Sequence, residues 1–290
     1  MTAAFRHYLI LCKPRVVLLM LLTAWAGMYL ASTQPIPAWL WINATLGIAF
    51  MSGSAATLNH IIDHKLDALM ERTKNRPLAS GKLSLHAAKI FALIQGTTGF
   101  IILYFGVNPL TAVLTLVAAF GYAIFYSMYL KRATSQNIVI GGLSGAMPPL
   151  LGWTAVSGSL DPEGWLLVLI IFTWTPAHFW ALCLHRLNEY KNADIPMLPV
   201  THGIPFTKLN IIFYSFLTVA CSLLPFAIGM SGTLYLVTAI ALDVGLLAYA
   251  LKLQFDKTDQ RIALKTFQYS LVYLTGLFSV LLLDHYILLT

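Results

Sequence analysis

Apolar residues fall in nine long runs, near residues 14–32, 38–60, 88–106, 110–130, 137–157, 164–185, 210–230, 233–252 and 267–288. Each is long enough for a helix that crosses a bilayer, and none shows the strict alternation of a strand. Several breaks carry turn chemistry: "STQPIP", "GVNP", "SGSLDPEG" and "MSGT". Two connections are long, 61–87 and 186–209; each begins as a continuation of its helix and then carries Pro and Gly. The pattern predicts an all-α polytopic membrane protein, a bundle of about nine transmembrane helices with helical caps on one side, forming a single domain over 1–290.

Charge fixes which side. The four turn segments quoted above hold no Lys or Arg, and all 18 basic residues lie in the N-terminal segment or in the alternate connections. Such segregation is the positive-inside pattern carried to completion. It predicts a cytoplasmic N-terminus, a periplasmic C-terminus and cytoplasmic faces for both long connections. The net charge of +7 is therefore an orientation signal, and no soluble basic surface exists that would suit nucleic acid. Composition agrees: 58% of residues are hydrophobic and 10% charged, whereas an ordinary soluble domain is about a quarter charged. The first apolar run has no A-x-A cleavage site after it, so it reads as a retained helix. With no Arg- and Ser-rich transit peptide ahead of it, a bacterial inner membrane is the expected location. Cys12, Cys183 and Cys221 are odd in number and unpaired in spacing, which suits small apolar residues rather than a disulfide or zinc site.

Charge also gathers where the second run ends, in "NHIIDHKLDALMERTKNRPLASGK". Asn59, Asp63 and Asp67 are spaced i, i+4 and i+8, a drift of only about 80° around a helix, so they share one face. Two carboxylates and an amide oxygen suit a hard cation such as Mg²⁺, which takes carboxylates together with substrate phosphates. Arg72, Lys74, Arg76 and Lys82 follow, and Arg forks match phosphate oxygens. Acids for a metal and then bases for phosphate is the order a diphosphate needs. The competing account is a solvated helix end whose Asp residues pair with neighbouring Lys and Arg, but Asn59 lies at the end of an apolar run, where an unused polar side chain is costly.

A second cluster lies in and after the sixth run, "TWTPAHFWALCLHRLNEYKNADIPMLPVTHG". Pro176 removes a helical hydrogen bond inside the span. His178 and His185 fall roughly on one face with Trp174 and Ala181. Packing is the ordinary role for such a His, yet an ionisable group inside a span is also a functional candidate. Trp174, Phe179, Trp180, Tyr122, Phe125 and Tyr126 are aromatics that packing alone would explain.

Together these two stretches resemble the UbiA superfamily of intramembrane prenyltransferases. The first resembles its N-x-x-x-D-x-x-x-D motif. "MERTKNRPL", with the His-Phe-Trp and "IPMLPV" segments, is similar to the branch of protohaem IX farnesyltransferases, the haem O synthases. The resemblance implies transfer of a farnesyl group from farnesyl diphosphate to a vinyl group of haem B, with Mg²⁺ as cofactor, at the lipid bilayer. It implies Asn59, Asp63 and Asp67 as metal ligands and Asp63, Asp67, His178 and Lys191 as the catalytic set. Asn59, Arg72, Lys74, Arg76, Glu189 and Tyr190 would bind substrate. Other haem-pathway or oxidase-assembly membrane proteins are expected partners. One departure stands out: most of the superfamily has a second acidic pair, whereas here Glu189 holds the first position, Ala193 the second, and Asp194 comes one place late. On a helix that shift would turn the carboxylate by about 100°; it argues for the haem branch, and Lys191 could supply charge in place of a second metal.

Alternatives are a quinone-type or other aromatic prenyltransferase, which would want an intact second acidic pair, a cation-coupled transporter, and a structural assembly factor. A transporter predicts ionisable residues at mid-membrane in several spans. Here only Asp243 and Asp284 depart from the polar boundary, without an assigned role.

Overall fold

A computed structural model describes residues 3–71, 73–256 and 260–289. Every regular element among them is helical. In order these are α1 (Ala3–Leu11), α2 (Pro14–Leu30), α3 (Ala38–Leu69), α4 (Leu85–Gly106), α5 (Pro109–Phe120), a π-helical segment (Gly121–Leu130), α6 (Lys131–Ala133), α7 (Asn137–Ala146), α8 (Pro148–Ser157), α9 (Pro162–His185), α10 (Leu187–Asn192), α11 (Leu198–Thr201), α12 (Gly203–Ala227), α13 (Thr233–Phe255) and α14 (Gln260–Leu289). All nine expected positions are helical. Among the described residues seven helical stretches are long and apolar enough to cross a membrane, taking α5 through α6 as one stretch and α7 with α8 as another, and the bent pair α1–α2 makes an eighth. The helix outside that count is α3, which ends in Asn59, Asp63, Lys65 and Asp67.

The chain divides into two compact units, 1–132 with 147–160 and 133–146 with 161–290. In the first, α3 packs along α4, α2 along α8, and the π segment against α3 and α5. Small residues set the closest approach. A Cβ on Gly27 would lie 1.9 Å from the Pro149 carbonyl oxygen, and one on Gly152 would lie 1.8 Å from that of Ala24. The two backbones of α2 and α8 therefore touch reciprocally, the small-residue contact typical of membrane helices. Between the tenth and twelfth residues of the fifth expected span α7 stops and α8 restarts, because Pro148 and Pro149 have no N–H for the preceding turn.

In the second unit α9 packs on α12, α14 and α7, and α12 and α14 both pack on α13. Pro176 sits inside a continuous α9. The two unassigned acids have structural partners here. Asp243 on α13 accepts from Ser222 Oγ at 2.9 Å and Tyr273 Oη at 2.8 Å, linking α12, α13 and α14. Asp284 on α14 accepts from the backbone N–H groups of Gly232 and Tyr235, capping the start of α13, whose first N–H groups have no helical partner.

The caps differ from expectation on one side. After α9 come the short helices α10 and α11, but the described residues that follow α3, 70–71 and 73–84, form turns, where Leu83 N–H donates to Pro77 O and Gly81 adopts φ 71°. Leu78 from this segment is buried with Leu11 and Ala88.

Gly152→Ala should force α2 and α8 apart and cost roughly 1–3 kcal/mol, the usual range for overpacking. Thermal unfolding of the purified protein in detergent should show a clearly lowered midpoint; an unchanged midpoint would mean that the contact gives way freely.

Candidate functional site

Asn59, Asp63 and Asp67 do share one face of α3, and all three are buried, at 5%, 2% and 4% exposure. A carboxylate in such surroundings needs opposite charge or hydrogen bonds. Asp63 receives both: Lys131 Nζ donates to Oδ2 at 2.7 Å, and Asn59 Nδ2 donates to the same oxygen at 2.9 Å. Asn59 is itself held from two sides. Lys13 Nζ donates to its Oδ1 at 2.6 Å, and its Nδ2 also donates to Ser127 Oγ at 2.9 Å. Lys13 further donates to Tyr122 Oη at 3.3 Å. Tyr122, Ser127 and Lys131 come from the π segment and the residue after it, and Lys13 from the bend between α1 and α2.

Asp67 is gripped by Arg76, whose Nη1 lies 2.8 Å from both carboxylate oxygens. The local fold brings Arg76 back. Thr73 Oγ1 donates to Asp67 O at 2.9 Å, and the turn bonds of Thr73 and Lys74 to Met70 O reverse the chain directly after α3. His60 is buried beside them, its Nδ1 3.9 Å from Asp67 Oδ2.

The sequence-derived bases thus divide. Arg76 joins the cluster but faces a carboxylate. Lys74 is exposed and pairs with Glu71 at 2.6 Å. Lys82 is exposed on the turn segment. Arg72 lies outside the described residues. Lys13 and Lys131, read from sequence only as orientation charges, are the cations that touch the motif. Their separations from it, 46 and 68 positions, leave no periodic signal.

As a metal site the cluster is half built. Asp63 Oδ1 is buried with no hydrogen-bond partner, an oxygen left open for a cation. The other oxygens of the three side chains hold ammonium or guanidinium groups. Among the described residues no three His, Cys, Asp or Glu side chains converge to hold an ion. Two carboxylates and an amide with one open oxygen fit Mg²⁺ only if phosphate and water oxygens complete the shell, which is how Mg²⁺ is usually bound.

The second cluster lies in the other unit. His178 stacks on Trp174, ring centroids 4.1 Å apart, tilts against Phe267 at 4.5 Å, and shares a hydrogen bond between Nδ1 and Ser270 Oγ at 2.6 Å. Trp174 Nε1 donates to Ser270 O, so α14 fixes both rings. Glu189, Tyr190 and Lys191 lie on α10: Tyr190 is buried, Lys191 exposed, and Glu189 Oε2 is enclosed without a hydrogen-bond partner. Asp194 lies beyond the end of α10 with φ 50°. The expected helical rotation between positions 193 and 194 therefore does not apply; the left-handed turn, not helix phase, aims Asp194. Of the aromatics, Trp180 is fully buried against Tyr214, Tyr122 stacks on Tyr126 at 5.9 Å, and Phe125 is exposed.

Lys131→Met should leave Asp63 buried without its counter-charge and cost about 3–5 kcal/mol, whereas Asp63→Asn combined with Lys131→Met should recover much of that loss. Thermal unfolding of the single and double variants checks this; additive effects would contradict the pairing.

The UbiA prenyltransferase family model matches residues 20–272. A protein from Alcanivorax borkumensis named protoheme IX farnesyltransferase is 54% identical over 286 residues, covering 98% of this chain and 94% of that one. One of the same name from Legionella pneumophila is 56% identical over 287 residues, covering 97% and 96%. Among solved structures, one of digeranylgeranylglyceryl phosphate synthase superimposes with a TM-score of 0.83 at 19% identity, covering 98% of this chain and 99% of that one. A UbiA homologue from Archaeoglobus fulgidus bound to GPP and Mg²⁺ gives 0.64 at 18% identity, covering 95% and 99%. These structures share the fold, and the family match together with the close relatives means that this multi-pass membrane chain belongs to the UbiA prenyltransferase family.

Proposed function

We propose that the protein transfers the farnesyl group of farnesyl diphosphate to a vinyl group of haem B, giving haem O. The observation that carries this is 54% identity over 98% of the chain to a protein named protoheme IX farnesyltransferase. The buried Asn59–Asp63–Asp67 cluster with its cations supports it, because acids for a metal and bases for phosphate meet in one place. A quinone-type acceptor and a cation-coupled transporter are not favoured. One prenyltransferase domain over 1–290 belongs to the proposal, since the family match runs without interruption through 20–272. So does an inner-membrane setting with the N-terminus and both long connections cytoplasmic, which follows from the segregation of the 18 Lys and Arg. Contact with other haem-pathway or oxidase-assembly membrane proteins remains the partner expectation.

In the reaction the farnesyl C–O bond breaks and diphosphate departs. The allylic carbon bonds to the end of the vinyl group, and water adds to the adjacent carbon and loses a proton. Asn59, Asp63 and Asp67 would hold Mg²⁺, which would offset the charge of the departing diphosphate. Arg76 is the fork that can exchange the Asp67 carboxylate for phosphate oxygens, and Lys13 and Lys131 can shift from Asn59 and Asp63 in the same way. Lys74 and Lys191 are exposed cations available to the diphosphate, with Glu189 and Tyr190 beside Lys191 on α10. Arg72 keeps its sequence-derived assignment as a phosphate ligand. His178 is the proposed proton acceptor or haem contact, oriented by Ser270 through Nδ1.

Incubation of the purified protein with haem B, farnesyl diphosphate and Mg²⁺ should yield a haem product heavier by a farnesyl group and water, detected by mass spectrometry. Chelation should stop the reaction, and Asp63→Asn or Asp67→Asn should slow it on the order of 100-fold or more. Unmodified haem in the presence of all three components would overturn the proposal.

His178→Ala should weaken haem binding or abolish turnover while leaving farnesyl diphosphate binding intact. Haem titration and diphosphate binding on one folded variant decide it. Wild-type haem affinity and turnover would leave His178 as a packing partner of Trp174 and Phe267.

A further inference from the structure

A groove of about 370 Å³ runs between α3, α4 and the α5–π segment, all within the first unit. Its walls are apolar, with Ala55 and Leu58 from α3, Leu93 and Phe100 from α4, and Ala119 and Ile124 opposite them. Of its α4 wall, Leu93 is 71% exposed. In a membrane-spanning helix, that exposed side faces lipid.

The polar end of the groove carries one charged lining residue, Lys89, one turn inside the start of α4. From Lys89 to Phe100 the helix advances about 16 Å at 1.5 Å per residue. That is about half of a hydrocarbon core roughly 30 Å thick, the depth of one leaflet. A second cation follows the same wall: Lys65 lies seven residues after Leu58, two turns along the same face of α3, and is exposed. Both lysines stand at the end of these helices where the basic residues of the chain gather.

We propose that this groove binds one anionic glycerophospholipid from the basic-side leaflet. An acyl chain lies along Ala55, Leu58, Leu93 and Phe100, and the headgroup phosphate meets Lys89, with Lys65 adding positive potential. Length, apolar walls and a cation at the interfacial end each match such a lipid. Juxtamembrane basic residues favour anionic headgroups over neutral ones by charge alone. The groove is separate from the prenyl-transfer cluster but shares walls with it. Leu58 precedes Asn59 on α3, and Ile124 is on the same π segment as Tyr122 and Ser127, which hold Lys13 and Asn59.

Native mass spectrometry of the full chain in detergent, titrated with phosphatidylglycerol and with phosphatidylcholine of the same acyl chains, tests the proposal. Phosphatidylglycerol should bind more tightly as one preferred equivalent. Lys89→Glu, an exposed change that leaves packing untouched, should weaken it about fivefold or more. Lys252→Glu, an exposed basic position in the other unit, should not. Ala119→Phe, which fills the groove, should weaken both lipids. Equal losses in Lys89→Glu and Lys252→Glu would mean a general charge effect and overturn the site. Displacement of the lipid one for one by farnesyl diphosphate would also overturn it, making the groove a prenyl-chain subsite.

Discussion

Two carboxylates buried within five residues of each other on one membrane helix are the constraint around which the first unit is arranged. A buried carboxylate is costly without opposite charge, and the cations that meet Asp63 and Asp67 come from far apart in the chain. Lys131 must arrive from the end of the π segment, Lys13 from the bend before α2, and Arg76 from a turn that doubles back on α3. The geometry of each element can be read as the means of delivering one positive group. The Thr73 bond to Asp67 O shapes the return of Arg76, and Ser127 on the π segment fixes the amide of Asn59. Breaking one ion pair therefore costs more than that pair is worth, because the remaining charge stays buried.

The second unit handles its buried acids differently. Asp243 takes hydroxyl donors from two neighbouring helices, and Asp284 takes the open N–H groups at the head of α13. Neither needs a cation. Hydroxyl and amide donors tie helices together where no hydrophobic force separates helix contact from lipid contact. The two acids left without a role in the sequence are thus joints: Asp243 ties α12, α13 and α14 together, and Asp284 ties α14 to the head of α13.

Much of this was legible from one-dimensional pattern. Nine apolar runs marked nine helical positions, and the i, i+4, i+8 spacing put Asn59, Asp63 and Asp67 on one face, because both signals depend only on local periodicity. What escaped was set by distance or by backbone detail. Lys13 and Lys131 are indistinguishable from loop charges until the chain folds. Lys74 looked equivalent to Arg76, yet only Arg76 stands where the turn after α3 directs it inward. The break at Pro148 and the π segment interrupt runs whose hydropathy is continuous. Asp194 was treated as helical, and the chain leaves the helix just before it.

Lys13 joins two demands that normally fall to different residues. It occupies a left-handed backbone conformation, φ 49° and ψ 59°, immediately before Pro14, which itself disfavours a right-handed helical residue ahead of it. Glycine or asparagine would adopt that conformation more readily. Neither could extend an ammonium group to Asn59 and Tyr122. The position is therefore closed to improvement by ordinary substitution: any residue that relaxes the bend abandons the amide, and any other long cation keeps the strain. Sequence drift along α1 and α2 is free to change what faces lipid, but the hinge between them stays tied to the chemistry at the far end of α3.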